Sequence, residues 1–312
     1  MAKAIRDSEL IVLDGRVYHL GLKQDQLAKQ IFVVGDPDRA DLVAAKFDTV
    51  EHSENNREYV TRTGTHNGMH VSVVATGIGT DNNEIAMVEM YTLNEFNLET
   101  KVRNKGAKPL TIIRLGTSGG PQEDIELGTL AISTHGLGLD NTGSYYEAPH
   151  ADFDTSQIEK LAYKIIDGGI RKQSRFKGKI IPYASKASPE VVDALISSAE
   201  LLDVPHAVGI TASSSGFYGP QGREIHGLPI TVPGLQERLA TLQYNEHRVV
   251  NFEMESSLLF HMGQAMGYRT GTICAIIANR PRGTFMDDYS PAVDQAIDIG
   301  LKAMHKLYKT SK

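Results

Sequence analysis

The chain has 312 residues, 41% hydrophobic and 22% charged, with a formal net charge of −6, enough to bury a large core as one big α/β domain or two smaller ones. That balance gives no basic footprint for nucleic acid or an anionic membrane. No apolar run approaches the ~18 residues of a spanning helix, and the N-terminus MAKAIRDSEL lacks the apolar stretch of a secretion signal, so a cytoplasmic location is expected.

In chain order, strands are predicted at 31–35 (IFVVG) and 70–76 (HVSVVAT), with helices at 40–47 and 83–96. Strands come next at 111–116 (TIIRLG) and 129–134, then a helix at 157–166, a strand at 179–184 (KIIPYA) and a helix at 189–202. A strand at 208–213, a helix at 255–267, a strand at 271–278 (GTICAIIA) and a closing helix at 291–308 complete the series. This alternation predicts an α/β sheet covered by helices on both faces. No long linker, low-complexity block or fixed-period repeat interrupts it, so a single domain is expected. The one cysteine, Cys274, excludes an intramolecular disulfide or thiolate metal cluster and reads as a small core residue.

The stretch TIIRLGTSGG (111–120) poses a choice of chemistry. Gly116, Ser118 and Gly120 fit the G-x-S-x-G nucleophile elbow, which needs a helix directly after the serine. The ten residues after Ser118, GGPQEDIELG, are rich in glycine and have no apolar face, so a turn or loop is expected there and the elbow is disfavoured. The other reading is a glycine-rich anion cradle walled by Arg114 and Thr117. GDPDR (35–39) has the same character, with Gly35 and Arg39 between a strand and a helix. Either arginine alone would be read as a structural ion pair; two beside glycines at strand ends suggest a phosphate site. Neither loop is a Walker A motif, and TGIGTDN (76–82) does not complete G-x-G-x-x-G, which leaves free phosphate as the suggested anion.

VYHLGL (17–22), GDPDR (35–39), NREY (56–59), TGIG (76–79), IRLGTSGG (113–120), GITASSSGFYGPQGR (209–223), NFEMES (251–256) and IIANRP (276–281) resemble, in order, the motifs of uridine phosphorylases in the nucleoside phosphorylase-I family. The resemblance implies a single α/β domain over 17–312, with a central mixed β-sheet flanked by helices, and an N-terminal extension at 1–16. It implies a homodimer, or a hexamer built from dimers, that converts uridine and phosphate reversibly to uracil and ribose 1-phosphate in pyrimidine salvage. Phosphate is the nucleophile, so no cofactor, metal or protein nucleophile is expected.

The family's residues carry over motif by motif. Gly35, Arg39, Arg114 and Thr117 are implied as phosphate ligands, joined by Arg57 from a neighbouring subunit. Glu253, Met254 and Glu255 fall to the ribose, and His19 reaches the 5′-hydroxyl from the adjacent subunit. Without the family, the glutamates would read as a helix N-terminus and Met254 as core. Phe217, Gln221, Arg223 and Arg280 are implied at uracil: the Gln221 amide offers a donor and an acceptor, and Arg223 a donor for O4. By composition alone GFYGPQGR is an exposed loop.

Purine members of the family carry an aspartate where this chain has Ile277, Ala278 and Asn279. A purine or broad-specificity nucleoside phosphorylase, or a nucleoside-binding protein without catalysis, is therefore the secondary reading. Some relatives hold a monovalent cation between subunits, for which Glu58 is the candidate ligand. The segments at 139–150 and 283–290 vary among uridine phosphorylases and receive no role.

Overall fold

The computed structural model describes residues 4–310; the first three residues of the expected N-terminal extension lie outside the described residues. The strands that build the site are β1 (Gln30–Val34), β2 (Thr49–Asn56), β3 (Tyr59–His66), β4 (Met69–Ala75), β5 (Thr111–Gly120), β6 (Leu130–Gly138), β7 (Tyr183–Lys186), β8 (His206–Ser213), β9 (His247–Glu253) and β10 (Arg269–Asn279). The helices are α1 (Pro37–Ala44), α2 (Thr80–Glu95), α3 (Phe153–Gly169), α4 (Pro189–Leu201), α5 (Leu235–Ala240), α6 (Ser256–Met266) and α7 (Ser290–Thr310).

One mixed sheet runs in the order β9-β8-β6-β10-β5-β1-β4-β3-β2. β5 is parallel to β10 and β1, β1 to β4, and β8 to β6 and β9; β10 crosses to β6 antiparallel. A further antiparallel pairing of Phe252 with Gly119 closes β9 back onto β5. The five strands β5, β10, β6, β8 and β9 thus form a ring, and the segment after Phe252 is carried to the end of β5.

The inner strands are apolar because both faces are covered. All of β5 is buried except the half-buried Thr117, and Leu115 lies under Gly300 of α7. The helix starts are set by capping. Asp36 accepts the Asp38 N–H at 3.0 Å with Pro37 at the first helical position, so α1 begins three residues before the apolar run that predicts it. Asp152 caps α3 through the Thr155 N–H at 2.8 Å, and Gly267, at φ 72°, ends α6.

Several expectations require correction. The strand at 179–184 is confined to Tyr183–Lys186, because Pro182 has no N–H for a ladder and Lys179 lies in a turn. The cradle residues up to Gly120 belong to β5 itself rather than to a loop after it, and Ser118 sits inside that strand with no helix behind it. The elbow geometry is absent. β2, β3 and β9 were not expected. β2 is an edge strand whose exposed and polar residues suit solvent, so its composition hides it.

Candidate active site

Beyond the C-terminal ends of β1, β4, β5, β8, β9 and β10 lies an open cavity of about 770 Å³, where an open α/β sheet places its ligands. Gly35, Arg39, Arg114, Thr117, Phe217, Gln221, Arg223, Glu253, Met254, Glu255 and Arg280 all line it.

Arg114 lies almost buried along β5. Its Nε is 3.2 Å from Glu253 Oε2, its Nη2 is paired with Glu255 and its Nη1 donates to Cys274 Sγ at 3.1 Å. The guanidinium fits only because residue 116 is glycine: a Cβ there would lie 1.8 Å from Nη1. Burial works against the charge on Arg114, but Glu255 and Glu253 outweigh it and hold its pKa above the ordinary arginine value. Burial pushes the Cys274 thiol up to about 12, so it stays a neutral acceptor beneath the guanidinium.

Arg39, in the first turn of α1, is only 8% exposed. Burial lowers its pKa, and the neighbouring charge of Arg114 lowers it further. Among the described residues its guanidinium has no hydrogen-bond or ion-pair partner. The wall thus holds one cation matched by two carboxylates and one left unmatched beside a helix N-terminus, an arrangement that attracts an anion.

The two carboxylates are fixed from behind. Glu253 Oε1 and Oε2 accept the Ser256 N–H at 3.0 and 3.2 Å, and Oε2 accepts the Glu255 N–H at 3.1 Å. Glu255 Oε1 accepts the Gly79 N–H at 2.7 Å from the turn after β4, where Gly79 holds a φ of 99° that favours glycine. Burial raises the pKa of Glu255; Arg114 pulls it back and Glu253 raises it further. Both carboxylates sit at the N-terminus of α6, whose dipole favours them.

On the remaining wall, Arg223 Nη1 donates to the Gln221 side-chain oxygen and, at 2.6 Å, to the Phe217 carbonyl, with its guanidinium 3.8 Å from the centre of the Phe217 ring. An arginine N–H can only donate, so this contact fixes which end of the Gln221 amide is oxygen. Arg280 Nη1 donates to the Gln221 main-chain carbonyl at 2.5 Å. Burial and the nearby Arg223 depress its pKa to about 10. Asn279 is committed elsewhere: Nδ2 donates to the Gln122 and Ile125 carbonyls at 3.1 and 2.9 Å, and Oδ1 accepts the Arg282 N–H at 3.1 Å.

The profile of the phosphorylase superfamily matches residues 29–309. The chain belongs to the phosphorylase superfamily. It is 31% identical over 272 residues to a uridine phosphorylase of Thermococcus kodakarensis, covering 87% of this chain and 80% of that protein. It is also 31% identical over 270 residues to a uridine phosphorylase of Treponema pallidum, covering 85% and 83%. Among solved structures, a Trypanosoma brucei nucleoside phosphorylase that shows uridine phosphorylase activity superposes with a TM-score of 0.87 at 31% identity, covering 95% of this chain and 99% of that one. The fold is accordingly a single α/β domain of this superfamily.

Two of the phosphorylase's expected site residues do not line the cavity. His19 Nδ1 lies 2.8 Å from Glu89 Oε1, and the main-chain N–H groups of His19 and Leu20 donate to the same carboxylate at 2.7 to 3.0 Å. Arg57, at the tip of the β2–β3 hairpin with φ 56°, donates to the Tyr18 hydroxyl at 2.8 Å and stacks 4.7 Å from that ring's centre. Glu58 is exposed beside it. Asp36, Ile78, Thr284 and Phe285 were not expected in the phosphorylase's cavity, yet they line it. Asp36 and Ile78 belong to the GDPDR and TGIG motifs; Thr284 and Phe285 pair with the end of β10, and nothing in their residue types announces it.

Ser118 Oγ donates to the Ala275 carbonyl at 3.4 Å and has no histidine partner among the described residues. No helix of the described residues is long and apolar enough to cross a membrane.

Proposed function

We propose that this chain is a uridine phosphorylase, transferring the ribosyl group of uridine reversibly to inorganic phosphate and releasing uracil. The observation that carries this reading is Arg39: a buried guanidinium, unpaired among the described residues, on the same cavity wall as Arg114, which two carboxylates already match. A phosphate dianion supplies the counter-charge. Its oxygens would meet Arg39 and the free N–H groups of Arg114, with the Thr117 hydroxyl and the backbone at Gly35 completing the cradle.

Glu253 and Glu255 would accept hydrogen bonds from the ribose hydroxyls beside Met254, and their charge favours the oxocarbenium character that develops in the sugar. A phosphate oxygen bonds to C1′ as the N1–C1′ bond breaks, and the bonding pair leaves with the base. Charge then spreads to the uracil carbonyls, where Gln221 Nε2 and Arg223 can donate while Gln221 Oε1 accepts N3–H. Arg280 acts through the Gln221 main chain. Cytosine lacks N3–H and presents an amine for O4, which leaves groups on both sides unpaired. The commitment of Asn279 to main-chain partners argues against purine protonation there.

Arg57 and His19, exposed or half-buried away from the cavity, would complete a neighbouring subunit's site in a homo-oligomer built from dimers. Glu58 at the same hairpin tip is the proposed ligand if a monovalent cation bridges subunits. The test is an ultraviolet assay on uridine, cytidine and inosine with and without phosphate. Uracil release from uridine alone, and only with phosphate, is expected; release without phosphate indicates hydrolysis, and equal cleavage of inosine a broad-specificity enzyme.

A further inference from the structure

Glu253 is held by a buried polar chain that takes no part in the proposed reaction. β8 and β9 place Ser213 opposite Glu253, and the fully buried Ser213 hydroxyl donates to Glu253 Oε1. Ser213 Oγ also accepts the main-chain N–H of Ser257 at 3.1 Å. That N–H can only donate, so the hydroxyl proton is left for the carboxylate.

Ser257 is anchored in turn. Its Oγ lies 3.2 Å from the Tyr183 hydroxyl and 3.4 Å from Asp140 Oδ2, to which Tyr183 donates at 2.9 Å. The Tyr183 ring is clasped by two glycines: a Cβ on Gly138 or Gly143 would come within 2.2 or 2.4 Å of it. Asp140 Oδ1 accepts the Thr142 and Gly143 N–H groups at 2.8 and 3.3 Å. The segment 139–150, which does not line the cavity, is therefore tied to the carboxylate at its wall.

We propose that Ser213 is a positioning residue for Glu253, aimed by the Ser257 N–H and braced by Tyr183 and Asp140. The inference rests on the reading of Glu253 as a ribose ligand. Without the hydroxyl, Oε1 keeps only the Ser256 N–H among its close donors, and the carboxylate, still held at Oε2 by the Glu255 N–H and Arg114, loses the contact that fixes where Oε1 points.

The experiment compares Ser213→Ala, Ser213→Thr, Tyr183→Phe and Glu253→Gln in the full chain. It measures kcat and KM for uridine and phosphate separately, and Tm. Ser213→Ala should lower kcat on uridine roughly ten- to a hundredfold, as expected for a lost bond to a charged group. KM for phosphate should hold. Ser213→Thr should restore kcat, and Ser213→Ala should add little in a Glu253→Gln background. Tyr183→Phe should lower kcat by less, and it carries the same test should Ser213→Ala not fold. If Glu253→Gln is impaired while Ser213→Ala, or Tyr183→Phe in its place, keeps wild-type kcat, the positioning role is wrong and the ribose reading stands. Full activity in Glu253→Gln removes the ribose reading and this inference with it.

Discussion

Replacing Arg114 with methionine tests the electrostatics of the site through stability alone. Arg114, Glu253 and Glu255 are 6%, 3% and 2% exposed. The substitution keeps most of the volume but leaves two adjacent buried carboxylates without their cation. Breaking a buried pair from one side costs about 3–5 kcal/mol. At roughly 2.1 cal/mol/K of unfolding entropy per residue, 312 residues give about 0.65 kcal/mol/K, so Tm should fall by about 5–8 °C near neutral pH.

The loss should also depend on pH, with a definite sign. Burial and Glu253 already raise Glu255, and Arg114 is the charge that pulls it back; without it the folded-state pKa climbs further above the unfolded value of about 4.3. A carboxyl raised on folding is bound to its proton when folded and has lost it when unfolded. Its stability is therefore fully present below the unfolded pKa and declines as pH rises to the folded one, by up to about 1.4 kcal/mol per pH unit. Calorimetry at matched scan rates should show Arg114→Met close to wild type near about pH 4 and well below it near about pH 8. Adding Glu255→Gln should recover part of the deficit at the higher pH. A variant as stable as wild type throughout, or one whose deficit ignores both pH and Glu255→Gln, would refute the reasoning.

Gly116→Ala should displace Arg114, since the new Cβ would sit 1.8 Å from Nη1 and 2.8 Å from Cys274 Sγ; a loss of about 3 kcal/mol in transition-state stabilisation, over a hundredfold in kcat/KM, is expected, and wild-type kinetics would contradict the packing. Arg39→Ala should act mainly on phosphate, raising its KM by roughly ten- to a hundredfold for a charged hydrogen bond; an unchanged phosphate KM removes it from the cradle. Ser118→Ala should keep most of its activity, and a folded but inactive variant that still binds phosphate would revive a nucleophilic serine. Arg57→Ala and Arg114→Ala should each be inactive, yet regain activity when unfolded and refolded together, because a mixed dimer holds one site with both arginines intact. If native mass spectrometry shows mixed dimers and no activity returns, Arg57 is not donated across an interface.

Some of the site was legible because its residue types are chemically unusual where they stand. Arginines beside glycines at the ends of apolar strands, at GDPDR and IRLGTSGG, point to an anion wall from residue types alone. NFEMES and GFYGPQGR were not legible in that way. Glutamates at a helix start and a loop rich in glycine and proline have ordinary structural uses, and only the ordered resemblance to a family assigned them ligands. Ser213, Tyr183 and Asp140 carried no signal, since a serine in a strand and a tyrosine before an alanine are common anywhere.

By itself, the sequence determined the alternation of apolar strands and amphipathic helices, and with it an α/β sheet whose candidate site lies at strand ends. Those properties are local: period, propensity and capping act within a dozen residues, so a linear reading reaches them. Tertiary structure decided that Gly116 is a space for a guanidinium, that Ser118 is a strand residue, and that Glu253 and Glu255 meet Arg114. Each depends on the closure of β9 onto β5, where Phe252 pairs with Gly119 across 133 positions of chain. Burial then converts that meeting into chemistry, because three charges that would be screened in water interact strongly once the ring excludes it.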